Sequence, residues 1–172
     1  MDDVLTYARS VLGISPTRWI NLAKSISPDL LNSRPANGEW SAFECLIHLY
    51  DTERWVFPAR VTAFLKGEDF PAFHPEEQGT RLDEAPPPAE LAAEFARLRS
   101  ASLLELESLS GADLALRARH SELGPVLLSE MIHEWAAHDL MHTVQAERAL
   151  MQPFIQGSGP WVVYFKDHLI GG

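Results

Sequence analysis

Start and stop signals for helices recur along this chain, and no stretch of it reads as a strand. No alternating run of four or more residues is flanked by hairpin signals, and no repeat of fixed period is visible. The first segment, residues 2–13, carries apolar residues at helical spacing and stops at Gly13. Ser15-Pro16 reads as an N-cap followed by proline at the first helical position, opening a segment to about Ser25. The two can be one bent helix. Ser27-Pro28-Asp29 repeats the start signal for a short turn before Pro35.

Ser41-Ala42-Phe43-Glu44 is a capping box, the clearest start in the chain. The helix that it opens is expected to reach Lys66, stop at Gly67 and kink in the turn before Pro58. Residues 68–87 lack periodicity and make a long connection. A third helix over 88–109 puts Leu91, Phe95, Leu98, Leu103, Leu106 and Leu109 on its core face. A polar connection over 111–124 follows. Gly124-Pro125 then opens an apolar-rich helix to about Met151, stopped by Pro153. Gly157-Ser158-Gly159-Pro160 reads as a turn, and Trp161 to Leu169 as a short last helix. The expected fold is all-α: a bundle of three or four long helices. The connection over 68–87 is long enough to cross it, so neighbours in sequence need not be antiparallel.

The totals fit one globular domain, expected over 1–172. The chain has 172 residues, 46% hydrophobic and 22% charged, enough to bury a core. Twenty-four acidic against 14 basic residues give a net charge of −10. Phosphate backbones and anionic lipid repel such a surface, so neither nucleic acid nor membrane is an expected partner. No apolar run approaches the ~20 residues that span a bilayer. The single cysteine, Cys45, forms no internal disulfide. Met1-Asp2-Asp3 has acids where a signal peptide needs bases, so the cytoplasm is the expected location.

Chemistry is carried by histidine. Of seven histidines, His138 and His142 stand one turn apart, about 40° around the same helix face. Two imidazoles at that spacing can converge on one ion. Glu134 lies one turn earlier on this stripe and Gln145 one turn later. Polar groups on a core-facing stripe are costly when unpaired, and a metal is an economical partner. A lone H-x-x-x-H is a weak motif; a third ligand strengthens it. His48, in an apolar stretch just after the capping box, can be that ligand or a hydrogen-bonded core histidine.

The zincin pattern H-E-x-x-H fails here. After His133-Glu134 the second histidine comes one residue late, and His138-Asp139-x-x-His142 lacks the glutamate. His133 faces elsewhere on the helix. His74, His120 and His168 read as surface histidines, the first two in connections that could cover the site. Glu44 can orient His48 but is already used by the capping box. Asp51 and Glu53 read as solvated charges, Trp55 as a core or pocket-wall residue, and Cys45 as a small buried apolar group.

Three pieces together resemble the DinB-like (YfiT-like) superfamily of metalloenzymes. They are Glu39-Trp40-Ser41-x-x-Glu44-x-x-x-His48-Leu49, then Leu123 to Leu128, then His133-Glu134-Trp135-Ala136-Ala137-His138-Asp139-Leu140-Met141-His142-Thr143-Val144-Gln145. Their order and spacing cover roughly residues 10–150. The resemblance implies a four-helix bundle with a long crossover. It also implies three ligands, His48, His138 and His142, for one divalent ion: Zn, Ni, Mn or Fe. Dimers are common in the family. Some relatives are thiol transferases or isomerases that use a low-molecular-weight thiol, and others are hydrolases.

The expected function is therefore a metal-dependent enzyme that activates a thiol cosubstrate or water for a small-molecule substrate. Glu134 and Gln145 are its candidate catalytic residues, and a homodimer is the expected assembly. Two other readings stand beside it: a non-catalytic metal- or ligand-binding bundle of a stress response, and a dimeric interaction module with structural histidines.

Overall fold

The computed structural model describes residues 2–75 and 82–171. Residues 76–81 of the expected long connection, and the two end residues of the expected single domain, lie outside the described residues.

Helix α1 runs from Asp2 to Ser25 without a break at Gly13. Pro16 sits inside it. A proline has no N–H to give the carbonyl four residues back, here that of Leu12. That carbonyl instead accepts a hydrogen bond from Arg99 Nη1, 3.0 Å away on another helix. The short α2 (Pro28–Asn32) starts at Ser27, whose Oγ accepts from the Leu30 N–H.

The capping box forms as expected. The Glu44 N–H donates to Ser41 Oγ (3.2 Å), and the Ser41 N–H donates to Glu44 Oε2 (2.9 Å). It opens α3 (Ala42–Trp55), which ends at Val56; α4 (Phe57–Lys66) follows with Pro58 in its first turn. The expected kink is thus a full break one residue before α4. Gly67, at φ 68°, closes α4 in the left-handed conformation that suits glycine. Replacing Ser41 by Ala removes the Oγ acceptor and is expected to cost about 1 kcal/mol, read as a lower urea midpoint at unchanged m-value.

Helix α5 spans Pro88–Ser108. The third-helix core face is more polar than expected. Phe95 and Leu106 are buried, and between them at helical spacing so are Arg99 and Ser102. Leu98 and Leu103 are only partly buried.

The stretch read as a polar connection holds one strand, β1 (Arg117–His120), and the expected first turn of the long helix is a second, β2 (Gly124–Leu127), paired antiparallel with Arg117 opposite Leu127. Phe70 adds a parallel bridge to His120. Each strand has four residues, and Pro125 breaks the donor pattern of the second. Such strands leave little periodicity to detect. Helix α6 therefore starts at Leu128 rather than Gly124, and it continues past Pro153 to Gly157. Two 3₁₀ turns, Gly159–Tyr164 and Lys166–His168, replace the expected last helix.

The fold is a four-helix bundle. Helix α1 packs on α5 and α6, and α3 packs on the same two helices. The order around the bundle is therefore α1, α5, α3, α6, with α1 and α3 at opposite corners. Among the described residues, no helix is long and apolar enough to cross a membrane.

Two apolar clusters fill the bundle. One gathers Leu12, Phe57, Phe64, Leu128 and Trp135; the other gathers Trp19, Leu46, Leu49, Phe95 and Leu150. Arg99 lies between them, its guanidinium 4.8 Å from the Phe95 ring and 5.7 Å from that of Trp135.

Candidate metal centre

The α3–α6 contact brings His48 opposite His138 and His142. His48 Nε2 lies 2.9 Å from His138 Nε2. One ligand atom from each of the three rings falls within 4.8 Å of the others. The ring centroids are 4.4 to 5.0 Å apart. Trp40, from the segment before the capping box, stacks on His142 at 5.7 Å. Phe57 meets His138 edge-on at 5.2 Å.

Each ring has a nitrogen to spare for a cation. Gln145 Oε1 accepts from His142 Nδ1–H at 2.8 Å, which leaves Nε2 as the lone-pair nitrogen. The facing Nε2 atoms of His48 and His138 can form a hydrogen bond only if one carries the proton. His138 Nδ1 is buried without a partner among the described residues. A neutral, three-imidazole donor set of borderline softness suits Zn, Ni or Fe, so the residues present fit the implied ion.

The electrostatics agree with a lone-pair site. Burial, reinforced by His142, pushes the pKa of His48 down to about 3. Burial and the two neighbouring imidazoles push His138 down to about 2. Burial also lowers His142, against the hydrogen bond to Gln145. All three are therefore neutral and ready to bind at neutral pH.

The unfolded chain binds these protons near pH 6.5 while the folded chain refuses them. Stability of the metal-free protein is thus present above about pH 6.5 and lost as the pH falls toward 3. The slope is up to about 1.4 kcal/mol per pH unit for His48 and for His138, with His142 adding in the same direction. Urea unfolding of EDTA-treated protein between pH 7 and pH 4.5 checks this, with a shallower slope expected for His48→Asn.

The rings open on a cleft of about 310 Å³, walled by Trp40, Phe57, Phe73 and Met141 and reached by Arg60 and Glu134. Glu134 is half-exposed, with Oε2 3.9 Å from Arg60 Nη1. Desolvation raises its carboxyl above the usual range, against the pull of Arg60.

Several side chains fall where the sequence reading did not put them. Asp51 and Glu53 are buried, not solvated. Arg99 Nη2 donates to Asp139 Oδ1 at 2.8 Å, and Arg99 Nε donates to Glu53 Oε2 at 3.0 Å. Trp55, the last residue of α3, is 58% exposed, with the Arg54 guanidinium 4.5 Å above its ring. It walls neither core nor cleft.

His120 is buried in β1, and its Nδ1 accepts from the Glu122 and Leu123 N–H groups. His74 pairs with Glu122 at 3.2 Å. Glu44 serves the capping box and an ion pair with Arg34. Cys45 is fully buried, and desolvation pushes its thiol up to about 12, so it acts as an apolar group. His133 and His168 are exposed.

The model of the DinB superfamily matches residues 12–146. The chain belongs to the DinB superfamily. Among curated proteins, none matches it. Among solved structures, it is similar to that described as "YfiT from Bacillus subtilis is a probable metal-dependent hydrolase with an unusual four-helix bundle topology". The two are 18% identical, with 87% of each chain covered and a TM-score of 0.73. At that identity the likeness concerns the fold, and this DinB-superfamily chain shares the bundle.

Trp40, Phe57, Phe73, Arg60 and Arg99 were not singled out from the sequence as site residues. Trp40 did stand beside the capping box in the motif that carried the resemblance. Arg60 follows a helix break that re-aims its face, and no spacing links Arg99 to Glu53 or Asp139.

Proposed function

We propose that the chain is a metal-dependent enzyme. In this reading His48, His138 and His142 hold one divalent ion (Zn, Ni, Mn or Fe), and the reaction uses a small thiol or water against a small electrophile. One observation carries it: three neutral imidazoles from two helices meet at the floor of a cleft, with space on the open side. Three protein ligands with an open position are the pattern of catalytic rather than closed structural sites. When bound, the ion lowers the pKa of a thiol or water toward neutrality and so supplies a nucleophile at physiological pH.

The chain's own residues divide the remaining work. Gln145 fixes the tautomer and ring plane of His142. The Glu134 carboxylate, on the rim with a raised pKa, takes the proton released at the cleft. Trp40, Phe57 and Phe73 limit water beside the imidazoles. Cys45 is sealed in the core, so the nucleophilic thiol of a transferase reading comes from a cosubstrate. The description of the Bacillus subtilis bundle as a probable metal-dependent hydrolase lends support to the water branch.

Turnover separates the branches. Untagged protein carrying about one ion per chain is offered cysteine and other small thiols with an aryl chloride, and separately nitrophenyl esters and anilides. Thiol-dependent release of chloride supports transfer; thiol-independent nitrophenol or nitroaniline supports hydrolysis. A stoichiometric ion without turnover favours a binding protein instead. The homodimer implied by the family resemblance is a separate expectation, checked by sedimentation.

A further inference from the structure

Beside the histidine cleft lies a larger cavity of about 630 Å³ between the β1–β2 hairpin, α4 and the start of α6. Phe70, Leu123, Val126 and Met131 make most of its apolar wall. Arg60, Phe73 and Glu134 line both spaces and form the waist between them. Both volumes fall in the range of small-molecule sites, roughly 300–1,000 Å³.

Arg60 is the unusual group at this waist. Its side chain is only 13% exposed. Its guanidinium lies 5.3 Å from the Phe70 ring centroid and 5.9 Å from that of Phe57. Among the described residues the guanidinium makes no hydrogen bond. Its one ion pair, with Glu134, is 3.9 Å long, beyond hydrogen-bond reach.

A guanidinium has five N–H donors in a planar fork suited to a carboxylate. Leaving them without acceptors in a poorly solvated place is costly. The other acids of the larger cavity are engaged elsewhere. Glu130 accepts from the Leu127 N–H at 2.8 Å, and Glu122 pairs with His74.

We infer that Arg60 is the anchor for a ligand carboxylate, and that the substrate is an elongated carboxylate with an aryl or acyl body. The body fills the hairpin cavity, the carboxylate takes the Arg60 fork at the waist, and the other functional group reaches the three imidazoles. This names a substrate class for the enzyme proposed above and rests on that reading for the reaction, but not for the binding.

Calorimetric titration with phenylbutyrate and its neutral isostere phenylbutyramide tests the inference, on zinc-loaded and on EDTA-treated protein. The carboxylate is expected to bind at least about tenfold more tightly than the amide in both forms, as a charge-assisted hydrogen-bonded pair allows. Arg60→Gln is expected to abolish that preference and Arg60→Lys to keep part of it. Ala72→Trp, which adds bulk at the cavity wall, is expected to weaken both compounds. Circular dichroism confirms that each variant is folded.

Equal binding of the two compounds by the wild-type protein, or no binding of either, overturns the inference. So does a preference that survives Arg60→Gln, because the carboxylate is then held by some other group or, in the zinc-loaded form, by the ion. A carboxylate preference lost in Arg60→Gln, in a protein that takes up none of zinc, nickel, manganese and iron, upholds the Arg60 site while overturning the metalloenzyme.

Discussion

His138→Ala and His142→Ala protein is expected to carry no stoichiometric metal after dialysis, where the wild type keeps about one ion per chain. Each variant removes one of the three imidazole donors found among the described residues, and no other ligand stands at the cleft floor to replace it: Glu134 stands at the rim, and Gln145 does not line the cleft. For comparison, Gln145→Ala removes only a group behind a ligand and is expected to weaken affinity about 10–100-fold.

The loss is also visible in stability. An ion at about 1,000 times its Kd stabilises a folded protein by about 4 kcal/mol, and the two alanine variants forfeit that increment. Elemental analysis, together with thermal melts in zinc and in EDTA, measures both effects. The expected pattern is a zinc-induced rise in Tm for the wild type and none for either variant. Catalytic turnover, if present, falls to the level of the EDTA-treated protein. Full metal content in both variants would place the ion elsewhere and remove the basis of the proposed chemistry.

The second large effect lies deeper in the bundle. Arg99 links all four bundle helices through three polar contacts: the Leu12 carbonyl of α1, Glu53 of α3 and Asp139 of α6, with Arg99 itself on α5. The guanidinium and both carboxylates are essentially sealed from water. Burial works against its charge, but Asp139 and Glu53 outweigh that and raise its pKa above the ordinary value.

Removing the arginine leaves two buried carboxylates and one proline-freed carbonyl without their donor. Breaking a buried pair in this way costs about 3–5 kcal/mol, against a total of about 5–15 kcal/mol for a typical domain. Arg99→Ala is therefore expected to lose a large share of the protein's stability, read as a urea midpoint moved far to low denaturant.

A triple replacement, Arg99→Met with Glu53→Leu and Asp139→Leu, removes the charges together and is expected to recover much of the loss. A small effect of Arg99→Ala alone would show that the cluster is hydrated or unimportant to the bundle. Asp139 directly follows His138, and Glu53 lies five residues after His48, so the same cluster holds the two histidine-bearing helices at their spacing. The Arg99 variant is accordingly expected to weaken zinc binding as well.

Much of the helical frame was legible because its signals are local. Ser41 and Glu44 are three residues apart and satisfy each other's amides without help from the rest of the chain. Gly67 ends α4 because glycine tolerates a positive φ. His138 and His142 share a face because an α-helix repeats every 3.6 residues. His48 needed more: its own stretch was equally compatible with a core histidine, and only the family resemblance joined it to the other two.

Where a residue's fate depended on a partner far along the chain, local reading failed. Glu53 looked like a solvent charge until Arg99, 46 residues away, was brought against it. His120 looked exposed until a hairpin with four-residue strands folded it beneath Phe70.

By itself, then, the sequence determined where most of the long helices lie, the Ser41–Glu44 capping box, the Gly67 stop and a pair of imidazoles one turn apart, since backbone hydrogen bonding and steric preference act over a few residues. The tertiary structure alone decided that α3 and α6 face each other, that a buried arginine answers two acids and a proline's orphaned carbonyl, and that Arg60 stands between two cavities. Those outcomes depend on the joint burial of apolar faces and the pairing of charges withdrawn from water. Neither can be settled until distant segments of the chain have met.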